Sequence, residues 1–329
     1  MRPAAAWRGA LVIAAAVAAG AAGAAAAAGA AGCGGSPKRA APEVVPEPAP
    51  ATPVERILAM LPQGAQVVVE VDLARLRANP VVGAVVTRAL SAGTQLPGMA
   101  LATPAGGEAG EAGPSPLAAA DAVVLAAYGV GTSGAAAVTL LASKEPVAGA
   151  TKVAADIYVI GPEAWAAQIA QRAALLEGGD PIRAQPELLA LRGHAMPAKA
   201  PGASLRVTAR LPFDARIALA RQAGVEAAPA QLSIWGDVVD DLAIVIDADA
   251  TDPGDRRGRK AVARLETALR GALVSLADEP AARALGVPRS LVNAKLVVRG
   301  TWVRAIIAIG PEHLKRIAAR ASALLEASP

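Results

Sequence analysis

Asp156-Ile157-Tyr158-Val159-Ile160-Gly161-Pro162-Glu163 runs a β-branched stretch straight into a helix start, and Ala305-Ile306-Ile307-Ala308-Ile309-Gly310-Pro311-Glu312 does the same in the second half of the chain. Both share the tetrapeptide Ile-Gly-Pro-Glu. Each proline falls at the first helical position, where its missing N–H is harmless, and each glutamate favours the positive end of the helix. The register continues without a gap to Leu175-Leu176-Glu177 and Leu324-Leu325-Glu326. Either an α+β unit was duplicated, or two helix starts converged on the same good cap. Two such units do not make a solenoid, which needs at least about three repeats.

Working outward from each junction, the order of elements agrees between the halves. The first half spans residues 54–180. Residues 53–62 read as a short amphipathic helix ended by Pro62, and 66–73 as a β-branched strand. Asp72 is placed to cap a helix through Leu76, Val82, Val85 and Leu90, which Pro80 interrupts or divides. Residues 103–116, rich in Gly, Glu and Pro, read as a mobile loop. Residues 122–128 and 135–143 read as strands ahead of the Ile160 junction. Residues 181–203 connect the halves, and 204–329 form the second. There, a strand over 204–211 precedes a helix over 214–223. Strands over 232–235 and 242–246 flank a turn at Gly236-Asp237, and a long amphipathic helix covers 256–276. A hairpin of 295–298 and 303–309 then leads into the last helix. The expected fold class is α+β: two pseudo-repeated halves of mainly antiparallel strands packed against amphipathic helices.

Composition bounds the core and the chemistry. Of 329 residues 54% are hydrophobic, but aromatics are only 2%. The excess is alanine, so a core of Ala, Val, Leu and Ile is possible but one built on stacked rings is not, and small side chains should let helices approach the sheet closely. A single cysteine excludes an intrachain disulfide and a cysteine metal cluster, and two histidines exclude a histidine-rich site.

Residues 1–32 read as an export signal: Arg2 and Arg8 precede an uncharged stretch from Ala10 to Gly32. Ala30-Ala31-Gly32-Cys33 resembles the lipobox of bacterial lipoproteins, with Ala30 in the place of the usual leucine. The resemblance implies cleavage before Cys33 and acylation of that cysteine. Gly34 in second place implies the periplasmic face of the outer membrane. Several acyl chains satisfy the need for more than one hydrophobic anchor. A plain secretory signal and an uncleaved span remain open. Residues 33–53, Pro-rich and without helical or strand period, fit an extended tether of about 60 Å at about 3.1 Å per residue. Lipobox, tether and the Ala-rich halves opening on Leu61-Pro62-Gln63-Gly64 together resemble uncharacterised alanine-rich bacterial lipoproteins of the myxobacterial type. That likeness implies a location and carries no chemistry.

Three segments resemble chemical sites. Gly129-Val130-Gly131-Thr132-Ser133-Gly134 is a G-x-G-x-x-G after a strand, as in dinucleotide folds. However, strand-like residues follow it, and a glycine-rich hairpin turn fits better. Asp247-Ala248-Asp249-Ala250-Thr251 resembles the first motif of the haloacid-dehalogenase phosphatases. That resemblance implies a magnesium-dependent hydrolase with Asp247 as nucleophile and Asp249 as acid/base. The bland alternative is a strand end running into a polar loop. Calcium at Asp247, Asp249, Asp252 and Asp255 lacks the glycine and terminal glutamate of an EF-hand. His194 and His313 read as solvent-exposed histidines without a role.

Net charge is +4, and cleavage before Cys33 removes two of those charges. No basic run interleaved with aromatics offers a nucleic acid a stacking platform. Lys315, Arg316 and Arg320 form a helix face that is either solvated or in touch with anionic lipid. The expectation is a non-enzymatic, lipid-anchored envelope protein without cofactor or metal. Its partner is the membrane through Cys33, with an unidentified protein or an apolar ligand as a further partner. The hydrolase built on Asp247 and Asp249 is the alternative.

Overall fold

The computed structural model describes residues 52–91, 116–177, 186–198, 200, 202–250 and 258–327. Cys33, the leader, nearly all of the tether, nearly all of the 103–116 segment, Asp252 and Asp255 lie outside them. The helices are α1 Pro53–Met60, α2 Leu73–Ala78, α3 Gly83–Ser91, α4 Glu163–Glu177, α5 Pro186–Arg192, α6 Phe213–Ala223, α7 Gly258–Asp278, α8 Pro280–Leu285, α9 Pro288–Val292 and α10 Pro311–Ala327. The strands are β1 Val67–Asp72, β2 Ala120–Tyr128, β3 Ala136–Ser143, β4 Thr151–Ala154, β5 Ile157–Ile160, β6 Leu205–Arg210, β7 Gln231–Val238, β8 Leu242–Asp249, β9 Lys295–Arg299 and β10 Trp302–Ile309.

All these strands form one antiparallel sheet in the order β4-β5-β3-β2-β1-β6-β7-β8-β10-β9. The first strands of the two halves, β1 and β6, pair at its centre, with Val67 opposite Ala209. Read outward from that pair, each half lays down its strands in the same order: first, second, third, fifth, fourth. The protein is therefore α+β, with the two halves fused through a single sheet.

Side chains alternate between the two faces of a strand. Val67, Val69 and Val71 of β1 enter a core beneath α2, α3 and α6–α10. Val68 enters a second core beneath α1, α4 and α5. Although α4 and α10 both start from Ile-Gly-Pro-Glu, they cover opposite faces. α4 buries Ala166, Ile169 and Ala173 in the second core, and α10 buries Leu314 and Ile317 in the first. The tetrapeptide marks where each helix starts but not which face of the sheet the helix covers.

Asp72 caps α2 by accepting a hydrogen bond from the Arg75 N–H at 2.8 Å. Around Pro80 the chain breaks into α2 and α3, as the proline demands. Asn79 bridges the break: its Oδ1 accepts from the amides of Val81 and Val82, and its Nδ2 donates to the carbonyls of Val238 and Val239. The turn expected at Gly236-Asp237 is corrected. Both residues lie inside β7, where Gly236 pairs with Leu205 and Ile244, and the chain reverses at 239–241 instead. Sequence reading also missed β4, a short, partly exposed edge strand, and α5 within the connecting segment.

The halves differ most between their third and fourth strands. Residues 144–150 make that link in the first half, whereas α7, α8 and α9 make it in the second. No helix among the described residues is long and apolar enough to cross a membrane.

Candidate functional site

The expected chemical residues have structural partners. Asp247 sits in β8, which is antiparallel to both of its neighbours, unlike the first parallel strand of the phosphatase pattern. Its side chain is only 1% exposed. Arg304, directly across on β10, donates from Nε to Oδ1 at 2.7 Å and from Nη2 to Oδ2. The His194 ring places Nδ1 2.8 Å from Oδ2. A carboxylate only accepts, so the ring proton lies on Nδ1. The ring also stacks on Trp302, with centroids 3.8 Å apart. Both Asp247 oxygens are thus engaged by protein donors. Asp249, two residues on along the same strand face, is buried as well. The strand-end reading holds for the segment's position, because Asp249 is the last residue of β8. The histidines are not idle: His194 is solvent-exposed as expected but is braced as above, and His313, only half-buried rather than exposed, donates from Nε2 to the Gly286 carbonyl at 2.8 Å.

Two further arginine–carboxylate pairs cross the structure. Arg75 of α2 holds Asp237 through Nε at 2.8 Å and Nη2 at 2.6 Å, and the Ser204 hydroxyl adds a third bond at 2.8 Å. Burial pushes the Asp237 carboxyl up, but these donors outweigh it and hold it below the usual carboxylate range. Glu70, 4% exposed in β1, accepts from Arg192 of α5 at 2.8 and 2.9 Å. Burial would lower the arginine, and Glu70 reverses the sign. Such pairs fix register and docking, because breaking one leaves a buried charge uncompensated. No group of three or more His, Cys, Asp or Glu among the described residues could hold a metal ion.

The glycine-rich segment is the β2–β3 hairpin turn. Gly129 and Gly131 have positive φ, at 58° and 83°. A Cβ on Gly131 would lie 2.9 Å from the Ala215 backbone of α6. A strand, not a helix, follows the loop, unlike the dinucleotide-binding pattern.

An apolar cavity lies elsewhere, in the part that the second half alone possesses. α7, α8 and α9 lie over β6–β8 and β10, and enclose with them a space of about 250 Å³. Along α7 the residues facing it are Leu265, Ala268, Leu269, Ala272, Leu273 and Leu276, spaced as one helical stripe. From the sheet come Leu232 and Ile234 of β7, Leu242, Ile244 and Ile246 of β8, and Ile307 and Ile309 of β10. Leu291 of α9 and Ala282 of α8 close one end. Half-buried Leu219, Val225, Leu276 and Leu285 lie toward solvent, and Glu279 is the only charged residue in the lining. The sequence signal for this site was the alanine excess, which suggested close helix-to-sheet packing. Here Ala268 and Ala272 face the sheet and the space they leave stays open.

This volume exceeds the roughly 150 Å³ that already admits benzene in an apolar interior, and approaches the roughly 300–1,000 Å³ of ligand pockets. An apolar wall with one charge at its rim can hold a hydrocarbon body by excluding water and can orient a polar end at the mouth.

No family model matches this chain, and no curated protein matches it. Among solved structures, the chain is similar to TP0453 in crystal form I. That match has a TM-score of 0.37 and 8% identity, and covers 80% of this chain and 96% of the other.

Proposed function

We propose that this protein is an extracytoplasmic binding protein, tethered to the outer membrane through a lipid on Cys33, that houses an apolar, chain-like ligand between α7–α9 and the sheet. The observation that carries the reading is the apolar cavity itself. An unfilled space of this size is costly to a folded protein, because its lining loses dispersion contacts. Its lining holds no histidine, cysteine or serine, so the arrangement suits holding a molecule rather than transforming it. The sequence supports the tether through the lipobox-like Ala30-Ala31-Gly32-Cys33 and the Pro-rich stretch that follows.

The test is titration of the purified chain with an environment-sensitive apolar fluorophore, followed by competition with a medium-chain fatty acid. Saturable binding that the fatty acid reverses is expected, and its absence removes the ligand reading. The anchor is tested separately. Cys33→Ser should move the protein from the membrane fraction to the soluble fraction, and unchanged partitioning would refute lipidation.

A further inference from the structure

A second depression lies at the edge of the sheet, where β9 stops short of the end of β10. β9 begins at Lys295, opposite Ile306, so β10 runs on to Ile309 beyond it, and α9 and α10 wall the gap. The resulting cleft has a volume of about 640 Å³.

Its charge is one-sided. Arg289 of α9, Lys295 of β9, and Arg316 and Arg320 of α10 line it together with Ser290 and Asn293, and no aspartate or glutamate does. All four cations are exposed. Arg316 donates from Nε to the Glu312 carbonyl at 3.2 Å, and Arg320 donates from Nη1 to the Leu285 carbonyl at 3.4 Å. Both bonds go to the backbone and leave the charges unneutralised. The Glu312 carboxylate is taken by Lys315 at 2.9 Å. The side chains of Arg289 and Lys295 have neither an ion pair nor a hydrogen bond among the described residues. Gly286, at φ +79°, lets the Arg320 guanidinium lie against the backbone where any Cβ would collide with it.

Like charges gathered in one concavity repel one another and raise the local concentration of anions. Guanidinium forks and an ammonium, with a hydroxyl and an amide beside them, match the oxygens of a phosphate group. We infer that this cleft binds a phosphate-bearing anion, with Arg289 and Lys295 making the direct contacts and Arg316 and Arg320 completing the cradle. The phosphate belongs either to a soluble molecule or to a lipid headgroup. The inference does not depend on the apolar cavity, whose lining includes none of these cations.

The experiment uses the full chain carrying Cys33→Ser, so that no anchor contributes. Inorganic pyrophosphate is titrated by calorimetry, and co-sedimentation compares phosphatidylglycerol with phosphatidylcholine vesicles. The comparison protein also carries Arg289→Glu and Lys295→Glu, two exposed changes that break no bond in the fold, with an unchanged melting temperature as the check. A soluble ligand predicts pyrophosphate binding that weakens at least tenfold in the double variant. A headgroup predicts no pyrophosphate binding, together with phosphatidylglycerol-selective sedimentation that the double variant loses. Absence of both, or equal behaviour of the two proteins toward both probes, overturns the inference and leaves the apolar-ligand reading standing.

Discussion

Filling the apolar cavity should stabilise the protein and abolish its ligand binding together. Ala268 is 7% exposed on α7 and lines the 250 Å³ space. The space is partly open to solvent, so a larger side chain gains only from the apolar surface that it buries there. Ala268→Leu adds three carbons, which contribute up to about 2.4 kcal/mol at about 0.8 kcal/mol per buried methylene. Ordering the leucine takes back about 0.5–1 kcal/mol. The net expectation is a gain of about 1–2 kcal/mol, or about 2–6 °C in melting temperature for a chain of this size. Calorimetric melts of the ligand-free protein measure the gain, and the fluorophore titration measures the loss. The variant should also lose the melting-temperature increase that ligand gives the parent protein. A fall of several degrees would mean that the interface is already packed to native density and has been overfilled, and the cavity argument would fail. Unchanged fluorophore affinity would place the ligand elsewhere.

Other expectations follow from the ion pairs, the β7–β8 turn and the glycine hairpin. Arg304→Met strands the Asp247 carboxylate with His194 alone and should cost about 3 kcal/mol or more in urea denaturation, with most of it recovered by adding Asp247→Leu; a cost below about 1 kcal/mol would contradict the structural role given to the pair. Burial, with Asp240 and Asp237 nearby, pushes the Asp241 carboxyl up to about 6, above its unfolded value of about 3.9. Its protonation therefore adds stability as pH falls through about 6. Asp241→Asn should be slightly more stable than the parent at pH 7.5, by under about 0.5 kcal/mol for so exposed a group, and should flatten the melting-temperature profile between pH 7 and 5. At lower pH the trend reverses as Asp237 and Asp156, both held below the usual range by arginine partners, take up protons. Gly131→Ala should destabilise by more than about 1 kcal/mol, from its positive φ and the close Ala215 backbone, and anion binding should not change; a specific loss of nucleotide binding instead would revive the phosphate-loop reading.

Much of the architecture was legible because it is written locally. The β-branched run Val67-Val68-Val69-Glu70-Val71, the Asp72 cap, the break at Pro80 and the paired Ile-Gly-Pro-Glu junctions each depend on residues a few positions apart, and the structure places strands and helices there. The halves' common order also survives, as the symmetric progression of strands outward from β1 and β6. Local signals misled where a residue type has two uses. Gly236-Asp237 resembles a turn, but Arg75, far away in sequence, gives Asp237 a partner within a strand. Asp247-Ala248-Asp249 resembles a catalytic motif, but His194 and Arg304 converge on the first aspartate from distant segments.

The sequence by itself determined an α+β chain with a lipobox-like cysteine, a Pro-rich stretch after it and a composition poor in rings. Tertiary structure alone decided where the space is. Alanines at 268 and 272 are equally consistent with a closely packed interface and a hollow one; which results depends on how far α7 stands from β7 and β8. That distance depends on residues far apart in sequence, and no short-range pattern encodes it. The basic cleft has the same origin. Arg289, Lys295, Arg316 and Arg320 belong to three different elements, and their shared field exists only once the uneven ends of β9 and β10 leave a gap for them to surround.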